Sequence, residues 1–284
     1  MIRRATLTIV ALALVAAAPR AQQTFRSGIE AVRLDVLVLN NGEPVRGLRA
    51  QDFEVRDNGV LQQIDHVSFE KIPLNVVLTL DVSGSLEGRR MQQLQDAAGA
   101  MLDGLKQDDQ AALVTFSHLV AQRSGLTKDT AVVRQAVETM KAYGFTSLID
   151  GAFAGMMLAQ SDPDRALEIV FSDGVDTSSW LTAGAAIDAA KRSDTVVYCV
   201  YAGSRRAPSF LQDLAEFTGG QVFENPDTNA LRPTFTRILA EFRQRYLVTY
   251  SPRDVAPGGW HQLRVSVSNR RFTVKARPGY MRGR

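Results

Sequence analysis

The chain has 284 residues, of which 45% are hydrophobic and 22% are charged. These proportions are ordinary for a folded globular protein and exclude a disordered, collagen-like or coiled-coil chain. Lys and Arg number 33 against 30 Asp and Glu, so the formal net charge is only +3. The single cysteine, Cys199, excludes an intramolecular disulfide and a multi-cysteine zinc site.

The first 21 residues have the pattern of a secretory signal peptide. Arg3 and Arg4 precede an apolar stretch over residues 5–18, and small residues continue to Ala21. The stretch is shorter than the roughly 20 residues that a bilayer span needs, which makes a membrane anchor the weaker alternative. We therefore predict a secreted or periplasmic protein, with residues 1–21 as the signal peptide and no transmembrane span after cleavage.

Removing residues 1–21 would take away three arginines and no acid, which leaves 30 basic and 30 acidic residues. No overall basic charge then argues for nucleic acid as a partner. The last residues, 269–284, carry six cations and no acid. We expect these cations to lie on solvated strand faces and in a frayed tail.

Residues 22–72 read as an N-terminal β segment. Residues 34–39 are rich in Val and Leu and end at an Asn-Asn-Gly turn, residues 53–56 alternate apolar and polar, and a weaker apolar pattern follows over 64–69. About three strands are too few to form a stable sheet alone.

Residues 73–244 alternate between buried strands and amphipathic helices. This order predicts parallel pairing, right-handed crossovers and helices on both faces, which is a doubly wound, mostly parallel α/β sheet. The predicted strands are 75–80, 111–116, 167–171, 195–201 and 221–223. The predicted helices are 89–105, 132–140, 147–159, 183–191, 209–217 and 228–243.

Residues 245–284 return to a β pattern, with predicted strands at 246–250, 263–267 and 272–276. Because domain termini often lie close in space, we expect this C-terminal segment to pair with residues 22–72. The two segments would then form a second, smaller all-β domain into which the α/β domain is inserted.

Three loops of the α/β region carry oxygen ligands. Asp81, Ser83 and Ser85 follow the first buried strand, Thr146 precedes the third helix, and Asp173 follows the strand at 167–171. Ligands bind outside the carboxyl ends of the strands in such sheets, and Mg²⁺ prefers oxygen ligands. The same Asp and Ser residues are also typical of turns and helix caps, so capping alone is the alternative.

The sequence Asp81-Val82-Ser83-Gly84-Ser85 matches the DxSxS motif of the metal-ion-dependent adhesion site, and Thr146 and Asp173 match the second-loop threonine and third-loop aspartate of that site. Residues 73–244 thus resemble a von Willebrand factor type A domain. The whole chain, with its signal peptide and flanking β segments, resembles secreted bacterial proteins related to that domain. The resemblance implies that Asp81, Ser83, Ser85, Thr146 and Asp173 hold Mg²⁺, Mn²⁺ or Ca²⁺.

The remaining candidates for chemistry are weaker. The expected environment of His66, His118 and His261 is the surface or a satisfied interior site. Cys199 is expected in the core, and Asp176 is expected to be an exposed loop acid.

Two classes of function follow from these features. A cation held mainly by neutral hydroxyls attracts an anionic oxygen, which an Asp or Glu of a protein partner would supply, so we predict a non-enzymatic binding or adhesion module. The alternative is a metal-assisted hydrolase of unknown substrate, which needs a general base or nucleophile near the metal. No GxSxG, HExxH, P-loop or GxGxxG motif occurs. Neither the partner nor the oligomeric state can be read from the sequence.

Overall fold

The computed structural model describes residues 31–69, 72–162, 164–224 and 227–283. The predicted signal peptide, residues 1–21, lies outside the described residues. The strands are β1 Val32–Asn40, β2 Glu43–Pro44, β3 Phe53–Asp57, β4 Val60–Gln62, β5 Ile64–Ser68, β6 Leu74–Asp81, β7 Gln110–Phe116, β8 Val120–Thr127, β9 Arg165–Ser172, β10 Val196–Tyr201, β11 Val222–Glu224, β12 Tyr246–Tyr250, β13 Gly259–Val267, β14 Thr273–Lys275 and β15 Gly279–Arg282. The α-helices are α1 Arg89–Asp103, α2 Thr130–Glu138, α3 Leu148–Ala159, α4 Ala183–Ala190, α5 Ser209–Thr218 and α6 Leu231–Phe242.

The central sheet has six strands in the order β11-β10-β9-β6-β7-β8. Five of them are parallel, and β8 runs antiparallel to β7. β6 is buried along its whole length because β7 and β9 flank it and helices cover both faces. Leu78 of β6 lies opposite Leu113 of β7 and Ile169 of β9. The doubly wound α/β architecture predicted for this region is therefore present.

The strand β8 differs from the prediction, which placed no strand between residues 116 and 132. Its residues are exposed or half-buried except for Ser124, whose hydroxyl accepts a hydrogen bond from the Leu113 amide at 2.9 Å. An edge strand with polar residues on both faces lacks the apolar alternation that marks a half-buried strand.

The strands from the two ends of the chain pair with each other in two further sheets. One sheet has the order β14-β1-β12-β5, with β2 beside β1, and the other has the order β15-β13-β3-β4. Leu34 of β1 lies opposite Val248 of β12, and Val55 of β3 lies opposite Val265 of β13. The apolar residues of both sheets share one core. The further step, that these sheets form a separate domain, stays a prediction.

Buried polar contacts join these β-sheets to the α/β region. Arg277 donates hydrogen bonds to the carbonyls of Ser193 and Arg33, both at 2.9 Å. The expectation that the C-terminal cations are solvated is therefore wrong for Arg277, which is buried. An ion pair between Arg165 of β9 and Asp35 of β1 makes a second connection.

Candidate metal centre

The carboxyl ends of three neighbouring strands meet at one edge of the central sheet. In the parallel register, Asp81 of β6 lies opposite Phe116 of β7, and Leu80 of β6 lies opposite Phe171 of β9. The loops that follow β6 and β9, and the loop that leads into α3, therefore converge at this edge. Asp81, the last residue of β6, stands at the centre of it.

Asp81 is fully buried, and both of its carboxylate oxygens accept hydrogen bonds. The Ser83 amide donates to Oδ1 and the Ser172 hydroxyl donates to Oδ2, each at 2.7 Å. Burial raises the pKa of the Asp81 carboxyl to about 6, although these hydrogen bonds oppose the shift and the nearby charge of Asp173 adds a little to it. A buried carboxylate near a second acid favours the approach of a cation.

A chain of hydrogen bonds links the first loop to the third. The hydroxyls of Ser83 and Ser85 lie 3.1 Å apart, and the Ser85 hydroxyl donates to Asp173 Oδ1 at 2.7 Å. The other Asp173 oxygen, Oδ2, accepts from the Arg90 guanidinium at 2.9 Å. Asp81, Ser83, Ser85 and Asp173 therefore form one continuous cluster of oxygens.

Thr146 joins the same edge through the second loop. Its amide donates to the Thr177 hydroxyl at 3.0 Å, and its carbonyl accepts from the Thr177 amide at 2.8 Å. Its own hydroxyl faces the third loop, since a Cβ added to Gly174 would lie 3.7 Å from Thr146 Oγ1. The side chain of Thr146 thus lies beside the loop that carries Asp173.

Backbone hydrogen bonds fix the first loop against the second. The Gly84 amide donates to the Gly144 carbonyl at 3.1 Å, and the Tyr143 amide donates to the Val82 carbonyl at 2.7 Å. Gly144 has φ of +75°, and a Cβ there would lie 2.0 Å from Nδ1 of His118. Only glycine fits this conformation and this space without rearrangement.

The structure thus brings the five sequence-predicted residues onto three cross-bonded loops. Ser83 does occupy the N-cap position of a short 3-10 helix, Gly84–Leu86, and Gly88 that of α1, but neither position makes a side-chain cap bond. Asp81 does close a turn, because its Oδ1 accepts from the Ser83 amide. Its Oδ2 accepts from the Ser172 hydroxyl, and the Ser83 and Ser85 hydroxyls bond to each other, so these contacts go beyond turn formation. Whether these residues bind a metal remains a prediction.

Sequence reasoning missed two residues of this cluster. Ser172 is the last residue of β9 and precedes Asp173, so its place at the strand end was the available signal. Arg90 lies in the first turn of α1, and no local pattern connects it to the third loop. Asp176 also differs from the expectation of an exposed acid, because its Oδ1 accepts from the Ile149 amide at 3.2 Å at the start of α3.

The donor set consists of carboxylate and hydroxyl oxygens, which suit hard divalent cations. Among the described residues, no group of three or more His, Cys, Asp and Glu side chains stands ready to hold a metal ion. A cation here would therefore depend on the hydroxyls of Ser83, Ser85 and Thr146. The Ser83 and Ser85 hydroxyls bond to each other, and the Ser85 hydroxyl also donates to Asp173.

The fold and the cluster together define a known class of protein. The model of the von Willebrand factor type A domain matches residues 75–237 of this sequence. The match covers more than half of the chain, and the chain therefore belongs to the von Willebrand factor type A domain family.

Curated relatives match part of the chain, and two of them illustrate the extent of the overlap. An uncharacterized protein of Synechocystis, sll0103, is 31% identical over 108 residues, which is 37% of this chain and 26% of that protein. Inter-alpha-trypsin inhibitor heavy chain H2 of Mus musculus is 29% identical over 156 residues, which is 48% of this chain and 16% of that protein. The matched region thus spans about a quarter or less of the length of these relatives.

Solved structures share the fold at low sequence identity. A von Willebrand factor type A protein from Catenulispora acidiphila superposes with a TM-score of 0.54 at 16% identity and covers 89% of this chain and 72% of that one. Proximal thread matrix protein 1 from the mussel byssus, with a zinc-occupied metal-ion-dependent adhesion site, gives a TM-score of 0.55 at 15% identity over 66% of this chain and 50% of that one.

Proposed function

We propose that this protein is an exported, non-enzymatic binding module that captures a protein partner through a divalent cation. The cation would be held by Asp81, Ser83, Ser85 and Thr146, with Asp173 in support. The partner would offer an Asp or Glu carboxylate. Mg²⁺ is the first candidate, and Mn²⁺ and Ca²⁺ are the others.

The observation that carries the proposal is the hydrogen-bonded cluster from Ser172 through Asp81, Ser83 and Ser85 to Asp173. It places one fully buried carboxylate beside two neutral hydroxyls at the edge of the sheet where such folds bind ligands. Because hydroxyls carry no charge and Arg90 pairs with Asp173, Asp81 would neutralise only one of the two charges of a bound divalent cation. Such a cation would supply the attraction for a partner's carboxylate.

The surface around the cluster supports protein binding. Large apolar side chains on the loops at this edge remain exposed, with Trp180 94% exposed and Phe145 70% exposed. These exposed residues are Leu119, Tyr143, Phe145, Val175 and Trp180, together with Val120 at the start of β8. Exposed apolar groups that border a polar site are typical of protein interaction surfaces, and aromatic residues are enriched at interface cores.

The comparisons are consistent with this function. The mussel byssus neighbour carries zinc in a metal-ion-dependent adhesion site, and another neighbour of the same fold is the PilB minor pilin of Streptococcus sanguinis, with a TM-score of 0.51 at 16% identity.

Metal binding is tested by the thermal stability of the protein with Mg²⁺, Mn²⁺, Ca²⁺ or EDTA. A cation at 100 times its Kd should stabilise the folded state by about 2.7 kcal/mol. Asp81→Ala should abolish this response, whereas Asp96→Ala, which removes an exposed acid of α1, should keep it. An equal response in Asp81→Ala and in the native protein would contradict the proposed site.

Partner capture is tested by binding proteins from the cell envelope in Mg²⁺ and in EDTA. A partner retained by the native protein and by Asp96→Ala should be lost with EDTA and with Asp81→Ala. Replacement of Thr146 by Ala should weaken capture more than folding. Equal capture under all these conditions would place the binding face elsewhere.

Export is tested by sequencing the N-terminus of the protein isolated from cells. The pattern of Arg3, Arg4 and the apolar residues 5–18 predicts a start near residues 18–23. An intact Met1 on cytoplasmic protein would contradict export. Within the described residues, no helix is both long and apolar enough to cross a membrane.

A further inference from the structure

Arg90 brings a positive charge to the third loop of the cluster. It lies in the first turn of α1, and its Nη1 is 2.9 Å from Asp173 Oδ2. The Arg90 side chain is 50% exposed, whereas that of Asp173 is only 2% exposed. A molecule that approaches this side of the site therefore meets the guanidinium and not the carboxylate behind it.

Both oxygens of Asp173 are already engaged. Oδ1 accepts from the Ser85 hydroxyl and Oδ2 accepts from Arg90. Hydrogen bonds that involve ionised groups are stronger and more directional than neutral ones, so this pair of bonds fixes the carboxylate in one orientation. Arg90 also cancels the negative charge of Asp173.

The charge balance of the cluster depends on this residue. Asp81 and Asp173 carry two negative charges, and Arg90 carries one positive charge. With a divalent cation the cluster has a formal charge of about +1, whereas without Arg90 it would be close to neutral. Arg90 therefore affects how strongly a loaded site attracts an anion.

We propose that Arg90 is a second, direct contact for the partner's carboxylate, beside the cation. This inference rests on the proposed function and adds a residue that determines its specificity. The guanidinium is a planar donor of several N–H groups, so it can hold Asp173 with one nitrogen and offer others to a second carboxylate. A partner with a carboxylate would be favoured over one that offers a neutral oxygen ligand.

The test uses acetate as the carboxylate probe and Mn²⁺ as the metal. The amplitude of the free Mn²⁺ spin-resonance signal measures metal binding, and the line width of the acetate methyl resonance measures acetate at the loaded site. Arg90→Ala should weaken acetate binding about threefold to tenfold, as expected for loss of a partly exposed charged hydrogen bond. Its Mn²⁺ affinity should stay equal or rise, because a competing cation is removed.

Two variants control for charge and geometry. Arg89→Ala removes the same charge one residue earlier on the exposed start of α1, and should leave acetate binding unchanged. Arg90→Lys keeps the charge and should restore part of the acetate affinity. Circular dichroism and thermal unfolding establish that each variant is folded.

The remaining outcomes distinguish failure of the Arg90 inference from failure of the proposed function. Acetate affinity that is the same in Arg90→Ala and Arg89→Ala overturns the inference but leaves metal-dependent capture standing. Parallel loss of Mn²⁺ and acetate affinity in Arg90→Ala also overturns it, because Arg90 would then only hold Asp173 in place. Absence of Mn²⁺ binding in the native protein would overturn the proposed function, and the role of Arg90 with it.

Discussion

The ion pair between Asp35 and Arg165 gives a sharp test of how the β-sheets are attached to the α/β region. Asp35 lies on β1 and Arg165 on β9, and their side chains are only 9% and 3% exposed. The Arg165 Nε donates to Asp35 Oδ1 at 2.8 Å. Replacement of Asp35 by Ala would leave a buried guanidinium without its counter-ion.

The expected loss of unfolding free energy depends on the contacts that Arg165 retains. Loss of one partner of a buried ion pair typically costs about 3–5 kcal/mol. Arg165 retains a hydrogen bond to the Phe242 carbonyl at 3.4 Å and lies 4.7 Å from the centre of the Phe242 ring, so we expect the lower end, about 3 kcal/mol. For a chain of this size that corresponds to a fall in Tm of about 6–12 °C.

The assay compares urea and thermal unfolding of Asp35→Ala with that of a variant at an exposed ion pair. Asp103 and Arg134 lie 2.6 Å apart with side chains 66% and 36% exposed, so Asp103→Ala should cost no more than about 1 kcal/mol. The double variant Asp35→Leu, Arg165→Met should recover most of the lost stability, since no charge is then left buried. Equal losses in Asp35→Ala and Asp103→Ala would refute the reasoning.

Two other buried acids give further predictions. Burial raises the pKa of Glu168 well above its usual value, against the opposing hydrogen bond from Thr79, so the folded state favours the neutral carboxyl, whereas this group ionises at about pH 4.3 in the unfolded chain. The contribution of Glu168 to stability should therefore fall as the pH rises above about 4.3. Glu168→Gln should unfold at a higher urea concentration than the native protein at pH 7–8 but not near pH 4, and a stability difference that is constant with pH would contradict this. Asp57 accepts hydrogen bonds from the Tyr250 and Tyr280 hydroxyls at 2.8 and 2.9 Å, and its Oδ1 lies 2.7 Å from His261 Nδ1. Asp57→Ala should therefore lower the free energy of unfolding in urea by at least about 3 kcal/mol. The control Asp65→Ala, which removes an exposed acid, should lower it by less than about 1 kcal/mol. Similar losses in these two variants would show that the buried network contributes little.

The sequence by itself determined the α/β region and the position of its candidate site. The run over β6 is apolar because both faces of the strand are covered, and α1 carries apolar residues at helical spacing. Both patterns are local and could be read residue by residue. Asp81, Ser83, Ser85 and Asp173 were found in the same way, because chain order alone places them directly after buried strands and the topology of a parallel sheet brings those ends together.

Only the tertiary structure decided which distant residues meet. β8 has no apolar alternation, and its place at the sheet edge comes from pairing with β7. The bonds of Ser172 to Asp81 and of Arg90 to Asp173 join positions 91 and 83 residues apart. The buried Arg277 bonds to the carbonyls of Arg33 on β1 and of Ser193 in the α/β region. A hydrogen bond between distant residues depends on the orientation of whole strands and helices after packing, and local sequence patterns carry no information about that orientation.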